Sequence, residues 1–412
     1  MAVPGVASAH PHHNRGLTIA ATPNPINSGD GVLIYGRLKG SAVSGQTIYL
    51  YHHLARTPGF TLVGHTTTNS FGFYDFTREE GVVLTNRSWF VRGPGSTHSR
   101  TVHESVHALV SLTADTTATT TNVPVRFTGT VSPAFHRFQR VRLREQVGLN
   151  GNTFRTIDTT RTNGAGAFSF THHWRIEGQH TVEAVFPGDA ANTRGESDTI
   201  TVSVEQKQRA GFTIHTSAPI IPDGQSVTIS GVLDMPGGTT PEPNTLVTLY
   251  GHPFGAHAFQ AIANTHTATD GSYSFTQSPT DNEVYRVRTT LAPDRATALL
   301  YEGVQDVVTL SASSSTATVG GPVTFTGNVT PDKAGHLIYL QRKDAAGNWN
   351  IVGVGLIKPD STYSFTRVFG HAGAKQFRTR IYGGPDNVGG ASPPVTVTVS
   401  GLAPLSSLPP AS

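Results

Sequence analysis

Along this chain apolar side chains stand at every second position in short runs, and Gly, Asn, Asp and Pro separate one run from the next. Such period-two runs predict β-strands with one buried face. The runs also repeat. A strand with a central glycine recurs as Ile34-Tyr35-Gly36-Arg37-Leu38, Phe127-Thr128-Gly129-Thr130-Val131, Ile229-Ser230-Gly231-Val232-Leu233 and Phe325-Thr326-Gly327-Asn328-Val329, its glycines 93, 102 and 96 residues apart. Downstream of each comes an alternating strand (Ile48/Leu50, Val141/Leu143, Val247/Leu249, Ile338/Leu340). A turn follows, and then an aromatic pair two residues apart: Tyr74/Phe76, Phe168/Phe170, Tyr273/Phe275 and Tyr363/Phe365. Residues two apart on a strand share a face, so each pair is expected to enter a core. Gly/Asn/Pro turns fill the intervening stretches and leave helices no place.

About seven short strands in roughly 95 residues is the arithmetic of an immunoglobulin-like sandwich. The predicted fold is therefore all-β: a tandem array of four immunoglobulin-like β-sandwich domains spanning 16–108, 109–206, 207–305 and 306–400, between disordered tails at 1–15 and 401–412. Unit one resembles unit three and unit two resembles unit four, so the chain reads as a duplicated pair. Inside each pair, Val106 to Leu112 and Val304 to Leu310 run from one unit into the next with no polar linker, which predicts stiff joints. Between the pairs, Glu205 to Gly211 is polar and ends in glycine, so bending is expected there.

Composition narrows the chemistry. The 412 residues contain no cysteine, which removes disulfides, thiolate metal sites and a cysteine nucleophile. A net charge of +3 from scattered basic residues makes no nucleic-acid patch, and no apolar stretch is long enough to cross a membrane. Ala7-Ser8-Ala9 has the small-x-small form of an export cleavage site, but the segment before it is too short for a full signal.

With these motifs in hand, the chain resembles the bacterial Ig-like domain repeats of secreted and surface proteins from high-GC Gram-positive bacteria. The residues that carry the resemblance are the Gly-centred strand, the turn-strands Gly166-Ala167-Phe168-Ser169-Phe170 and Gly271-Ser272-Tyr273-Ser274-Phe275, and the approach to the last strand at Phe186-Pro187-Gly188-Asp189. It covers residues 16–400 and implies a secreted or cell-surface location. Covalently cross-linked relatives hold a Lys beside an Asn or Asp inside the core. Here all six lysines fall near turns, strand ends or polar segments, so no such bond is expected.

Candidate chemistry is sparse. His103-Glu104-Ser105-Val106-His107 matches H-E-x-x-H, which on a helix would bind zinc and make a metallopeptidase. Its unit-three counterpart, Tyr301-Glu302-Gly303-Val304-Gln305, keeps the apolar position and loses both histidines, which favours a packing role. The doublets His52-His53 and His172-His173 point to opposite faces of a strand, and His10, His12 and His13 lie in the first tail. Asn86-Arg87-Ser88 fits a glycosylation acceptor in a loop. Of the three tryptophans, Trp89 is expected in a core, whereas Trp174 and Trp349 are the candidate ligand-contact aromatics.

The expected function is non-enzymatic, with no cofactor and no catalytic or metal site: an extracellular segmented rod acting as spacer, surface scaffold or self-assembling subunit. Its partner would be a cell-surface or matrix protein or polysaccharide, or another copy of itself through sheet edges. A carbohydrate-binding module array is the alternative, and it requires two or more units to expose equivalent aromatics on one side.

Overall fold

The computed structural model describes residues 16–55, 57–147, 153–289 and 295–408. The expected tail at 1–15, with its three histidines, and the last four residues lie outside that set. The chain is all-β, four immunoglobulin-like sandwiches in tandem, and among the described residues 3-10 turns occur at Pro94–Ser96 and Leu405–Ser407. In unit one a small sheet joins Ala20–Thr22, Val32–Arg37 and Phe73–Arg78, and it faces a larger sheet of Thr61–Thr67, Thr47–Leu54, Arg87–Arg92 and Val102–Glu104. A short edge strand pairs in parallel with the last strand in each unit: Ile26 with Val106, Thr119 with Val204, Ile221 with Val304 and Ala317 with Val399.

The recurring glycine has one physical cause in all four copies. Gly36, Gly231 and Gly327 stand directly opposite Tyr74, Tyr273 and Tyr363 on the neighbouring strand. Each tyrosine ring lies over the glycine and donates its hydroxyl to a main-chain carbonyl of the first strand, at Thr18, Thr213 and Thr309. A Cβ at any of these glycines would fall inside both the ring and that carbonyl; at Gly129 it would meet Phe168 and the Ser111 carbonyl. Gly231→Ala is therefore expected to overpack unit three and cost about 2–3 kcal/mol, read as a lower urea midpoint at unchanged slope. A loss under about 0.5 kcal/mol would show that the close approach is not obligatory.

The joints within the two pairs are built alike. Strand partners change at Ala108 and at its counterpart Asp306: Val106 and Val304 pair within their own units, whereas Leu109 and Val307 already pair with the next. Asn86 and Asn282 accept from the main-chain N–H groups of Val106 (2.8 Å) and Val304 (2.9 Å). From the far side, Asn192 and Asn387 donate to the carbonyls of the same two residues. Asn86 is only 8 % exposed and committed on both sides of its amide, so it is not the open glycosylation loop that its sequence fits.

A buried polar group pins each joint. In the first, His136 lies between Asp189 (3.2 Å) and Asn192 (3.0 Å). In the second, Lys333 reaches Asp386 (2.5 Å), Asn387 (2.8 Å) and Asp306 (3.5 Å) while only 3 % exposed. Lys333 stands at a turn, as expected of the lysines, but its side chain is buried rather than solvated. Its ammonium is paired with Asp386, and the Asn387 amide nitrogen is spent on the carbonyls of Thr280 and Val304.

The extended rod is not what the structure shows. The chain doubles back, and unit four packs against units one and two. Leu33 and Tyr35, on the outer side of unit one's small sheet, are buried with the unit-four core, while their neighbours Val32 and Ile34 fill unit one. Around this seam Arg342 pairs with Asp30, and Lys375 with Glu80 at 2.5 Å. Against unit two, Arg378 and Arg380 share Asp198, and Phe154 packs edge-on to Tyr382 at 5.4 Å. Residues 401–408 are likewise ordered rather than a tail. The last strand runs through Leu402, and Ala403 and Leu408 are buried on the unit-four core because small and apolar side chains there complete its open end.

Candidate ligand-binding surface

The larger sheet of each sandwich has an inner face in the core and an outer face whose composition differs from unit to unit. The strand after the glycine fixes the frame. Leu50, Leu143, Leu249 and Leu340 point inward, so Tyr51, Arg144, Tyr250 and Gln341 follow on the other face. Their cross-strand partners bring up a further position, just before or at the start of the next strand, which is aromatic in all four units: Phe60, Phe154, Phe259 and Trp349. Sequence reading picked out Trp349 alone. The other three were missed because loops of unequal length precede them, and only the strand register aligns them.

In unit one this face is aromatic and histidine-rich throughout. Tyr51 stands between Leu62 and Phe90, and Tyr49 between His65 and Arg92. The Tyr51 and Phe90 rings stack at 4.8 Å, Phe60 meets Phe90 edge to face at 4.7 Å, and His53 lies 5.4 Å from Phe60. Tyr49, Phe60 and Leu62 are 40 %, 44 % and 52 % exposed, an apolar patch that water would not leave uncovered without a use. Unit three repeats the pattern with Tyr250, His252 and Phe259 and puts Arg286 where unit one has Phe90; its guanidinium lies 4.3 Å over Phe259 and 5.9 Å from Tyr250.

Units two and four use this face on each other. Phe154 has Arg144 over its ring at 5.2 Å and abuts Tyr382, while Gln146 reaches the Gly383 carbonyl. Trp349 is half-buried, flanked by Arg378 at 4.5 Å and Lys343 at 5.8 Å, and that same Arg378 crosses to Asp198 of unit two.

Trp174 is not a surface platform. It is 5 % exposed and edge-on to Phe127 in the unit-two core, with its indole N–H on Glu145 at 2.8 Å. Burial would raise the Glu145 carboxyl, but His180, Trp174 and Arg155 hold it down at about 2. The indole went inward because Glu145, facing into the sandwich, needs donors there. Trp89, expected in a core, is fully buried.

The H-E-x-x-H segment forms two short strands, Val102–Glu104 and Val106–His107. Four residues of extended chain separate its histidines by about 13 Å, too far to share an ion. His103 is exposed beside Ser88, and His107 bonds the Arg194 carbonyl at 2.9 Å. Among the described residues no three His, Asp or Glu side chains gather to hold a metal. Glu104 points inward, wholly buried, as does Glu302 in unit three.

The buried acids carry a pH signature. Burial pushes Glu104 up to about 8 against the pull of Arg87, Glu183 up to about 8, and Glu302 and Asp306 up to about 7. In the unfolded chain the same groups lose their protons near pH 4. The folded state binds more protons across the interval, so stability falls as pH rises through it. Histidines that burial keeps neutral (His52, His172, His336) act in the opposite sense, but only up to their unfolded value of about 6.5. Urea midpoints are therefore expected to fall from about pH 6.5 to about pH 8 and then level, with a shallower fall in Glu104→Gln. A midpoint that rises over this window contradicts the assignment.

No family model and no curated protein matches this chain. Solved structures do. The tetra-tandem repeat in the extending region of a large adhesion protein is 15 % identical, covering 93 % of this chain and 99 % of its own, with a TM-score of 0.26. Invasin, a bacterial integrin-binding protein, is 12 % identical over 93 % of this chain and 79 % of its own, at 0.24. Escherichia coli alpha-2-macroglobulin is 12 % identical over 93 % and 44 %, at 0.23. Likenesses of this size say nothing about how these four units are arranged or what they bind.

Proposed function

We propose that the chain is a non-enzymatic, extracellular adhesive scaffold of the bacterial Ig-like repeat type, four domains clasped into a folded-back block that presents sheet faces to a surface or matrix partner. One observation carries this reading. Units two and four turn the Phe154 and Trp349 ends of their outer sheet faces toward each other, while units one and three keep the equivalent ends, with Tyr51, Phe60, Tyr250 and Phe259, clear of such a contact. His136 and Lys333 are spent on holding the joints, and the open faces carry the ring and guanidinium chemistry of a binding surface.

Retention tests this. Purified chain incubated with washed bacterial envelope and extracellular matrix fractions is expected to sediment with one of them and to be released by a chaotrope. Chain that stays wholly in the supernatant with every fraction would sink the proposal.

A further inference from the structure

The geometry points to a specific occupant for the open faces: we infer that the outer sheet faces of units one and three bind an acidic polysaccharide, a chain of uronic-acid sugars, at two equivalent sites. This rests on the scaffold reading above and names its partner.

Shape is the first argument. Small ligands sit in concave pockets that enclose most of their surface, whereas these faces are open sheets with protruding rings. A polymer that passes over the surface needs nothing deeper. Aromatic rings offer their faces to the apolar C–H side of a pyranose, and Phe60, turned edge to face against Phe90, is 44 % exposed.

Charge is the second. The outward positions of Thr47–Leu54, Thr61–Thr67 and Arg87–Arg92 carry Arg92 and histidines but no carboxylate. The same face of unit three carries Arg286 and Arg288, in register with Tyr250 and Thr248. The Arg286 guanidinium is held 4.3 Å over the Phe259 ring, which fixes its place on this face. A guanidinium held in place over a ring is a preorganised partner for a carboxylate. The sign of the face thus selects an acidic over a neutral sugar.

Duplication is the third. Tyr51 and Phe60 in unit one occupy the register of Tyr250 and Phe259 in unit three, and the covered units have Arg144 and Gln341 in place of the tyrosine. The tyrosine is present in the two units whose aromatic position is free of another unit and absent in the two whose aromatic position lies at the contact between units two and four. Two sites on one clasped block would engage a single polymer at once, so the second binding step is intramolecular.

The test is affinity electrophoresis of the full chain through gels containing polygalacturonate or a neutral glucan, with sedimentation velocity over a range of protein concentrations. Retardation by polygalacturonate alone is expected, weakening as salt is added. Tyr51→Ala/Phe60→Ala and Tyr250→Ala/Phe259→Ala are each expected to weaken it about tenfold, and the combination to abolish it. All four side chains lie on outer faces, and an unchanged urea midpoint certifies the fold. Equal retardation by the neutral glucan overturns the acidic assignment. Unaltered retardation in the combined variant, or a concentration-dependent dimer that the same substitutions dissolve, overturns the site. If the combined variant still sediments with envelope or matrix fractions, the scaffold reading stands while the polysaccharide site falls.

Discussion

Lys333→Met is expected to destabilise the chain by about 3–5 kcal/mol. The ammonium is almost wholly enclosed, with Asp386 at 2.5 Å, the Asn387 side-chain oxygen at 2.8 Å and Asp306 at 3.5 Å. Burial already drives the Asp306 carboxyl up to about 7 with Lys333 beside it. Without the lysine, two carboxyl groups face each other in a dry joint with no cation, and Asn387 loses the contact that holds its amide toward unit three. Removing one member of a buried charged set costs far more than the intact set contributes, because the remaining charge is stranded. The first joint supplies the control, since it has Ala108 where the second has Asp306. Asp306→Ala placed in the Lys333→Met background should therefore recover some of the loss. Urea unfolding of the two variants reads this directly. A single-variant loss under about 1 kcal/mol would mean the cluster is solvated and not a pin.

The second large effect is on shape. Arg342→Glu sets a carboxylate against Asp30 and beside Glu80, where a guanidinium now bridges unit four to unit one. Desolvation already raises the Asp30 carboxyl, and Arg342 is the chief opposing influence. Like charges at such a seam cost several kcal/mol, enough to separate domains joined by a modest contact. Small-angle scattering of the native chain should give a radius of gyration close to the roughly 22 Å of a compact chain of this length, and the variant should give a distinctly larger one. Newly exposed Leu33 and Tyr35 should bind an apolar dye. A native value about twice the compact figure would return the molecule to a rod, and an unchanged profile in Arg342→Glu would show that these charges do not hold the seam.

The fold was legible because its signals are local. The Gly-centred strand, the aromatic pair and the alternating leucine strand each sit within a few residues, and each repeats four times. The folded-back arrangement was not legible in the same way. Asp30 and Arg342 are 312 residues apart, and no spacing rule links them. One trace was available. Val32-Leu33-Ile34-Tyr35 is apolar at every position, whereas the matching Val125-Arg126-Phe127-Thr128 and Val227-Thr228-Ile229-Ser230 alternate. A strand apolar on both faces is covered on both faces, which marks unit one's small sheet as a contact. Trp174 misled because its neighbours His172 and His173 look like a solvated loop. What draws it inward is Glu145, nearly thirty residues earlier, an acid on a strand whose inward positions are otherwise apolar. The outer-face aromatics were hidden by loop length, and the strand register recovered them.

The clasp between the first and fourth units has a mechanical meaning. Because these units are bound to each other as well as through the intervening chain, the molecule stores slack. A pull on its two ends loads the Arg342 and Lys375 pairs and the Leu33–Tyr35 seam before it can strain any one sandwich. Those links give way first and release length in one step, uncovering Leu33 and Tyr35 while the four sandwiches keep their own strands paired. Relaxation lets them close again, so the block would act as a reusable shock absorber in whatever tether it belongs to.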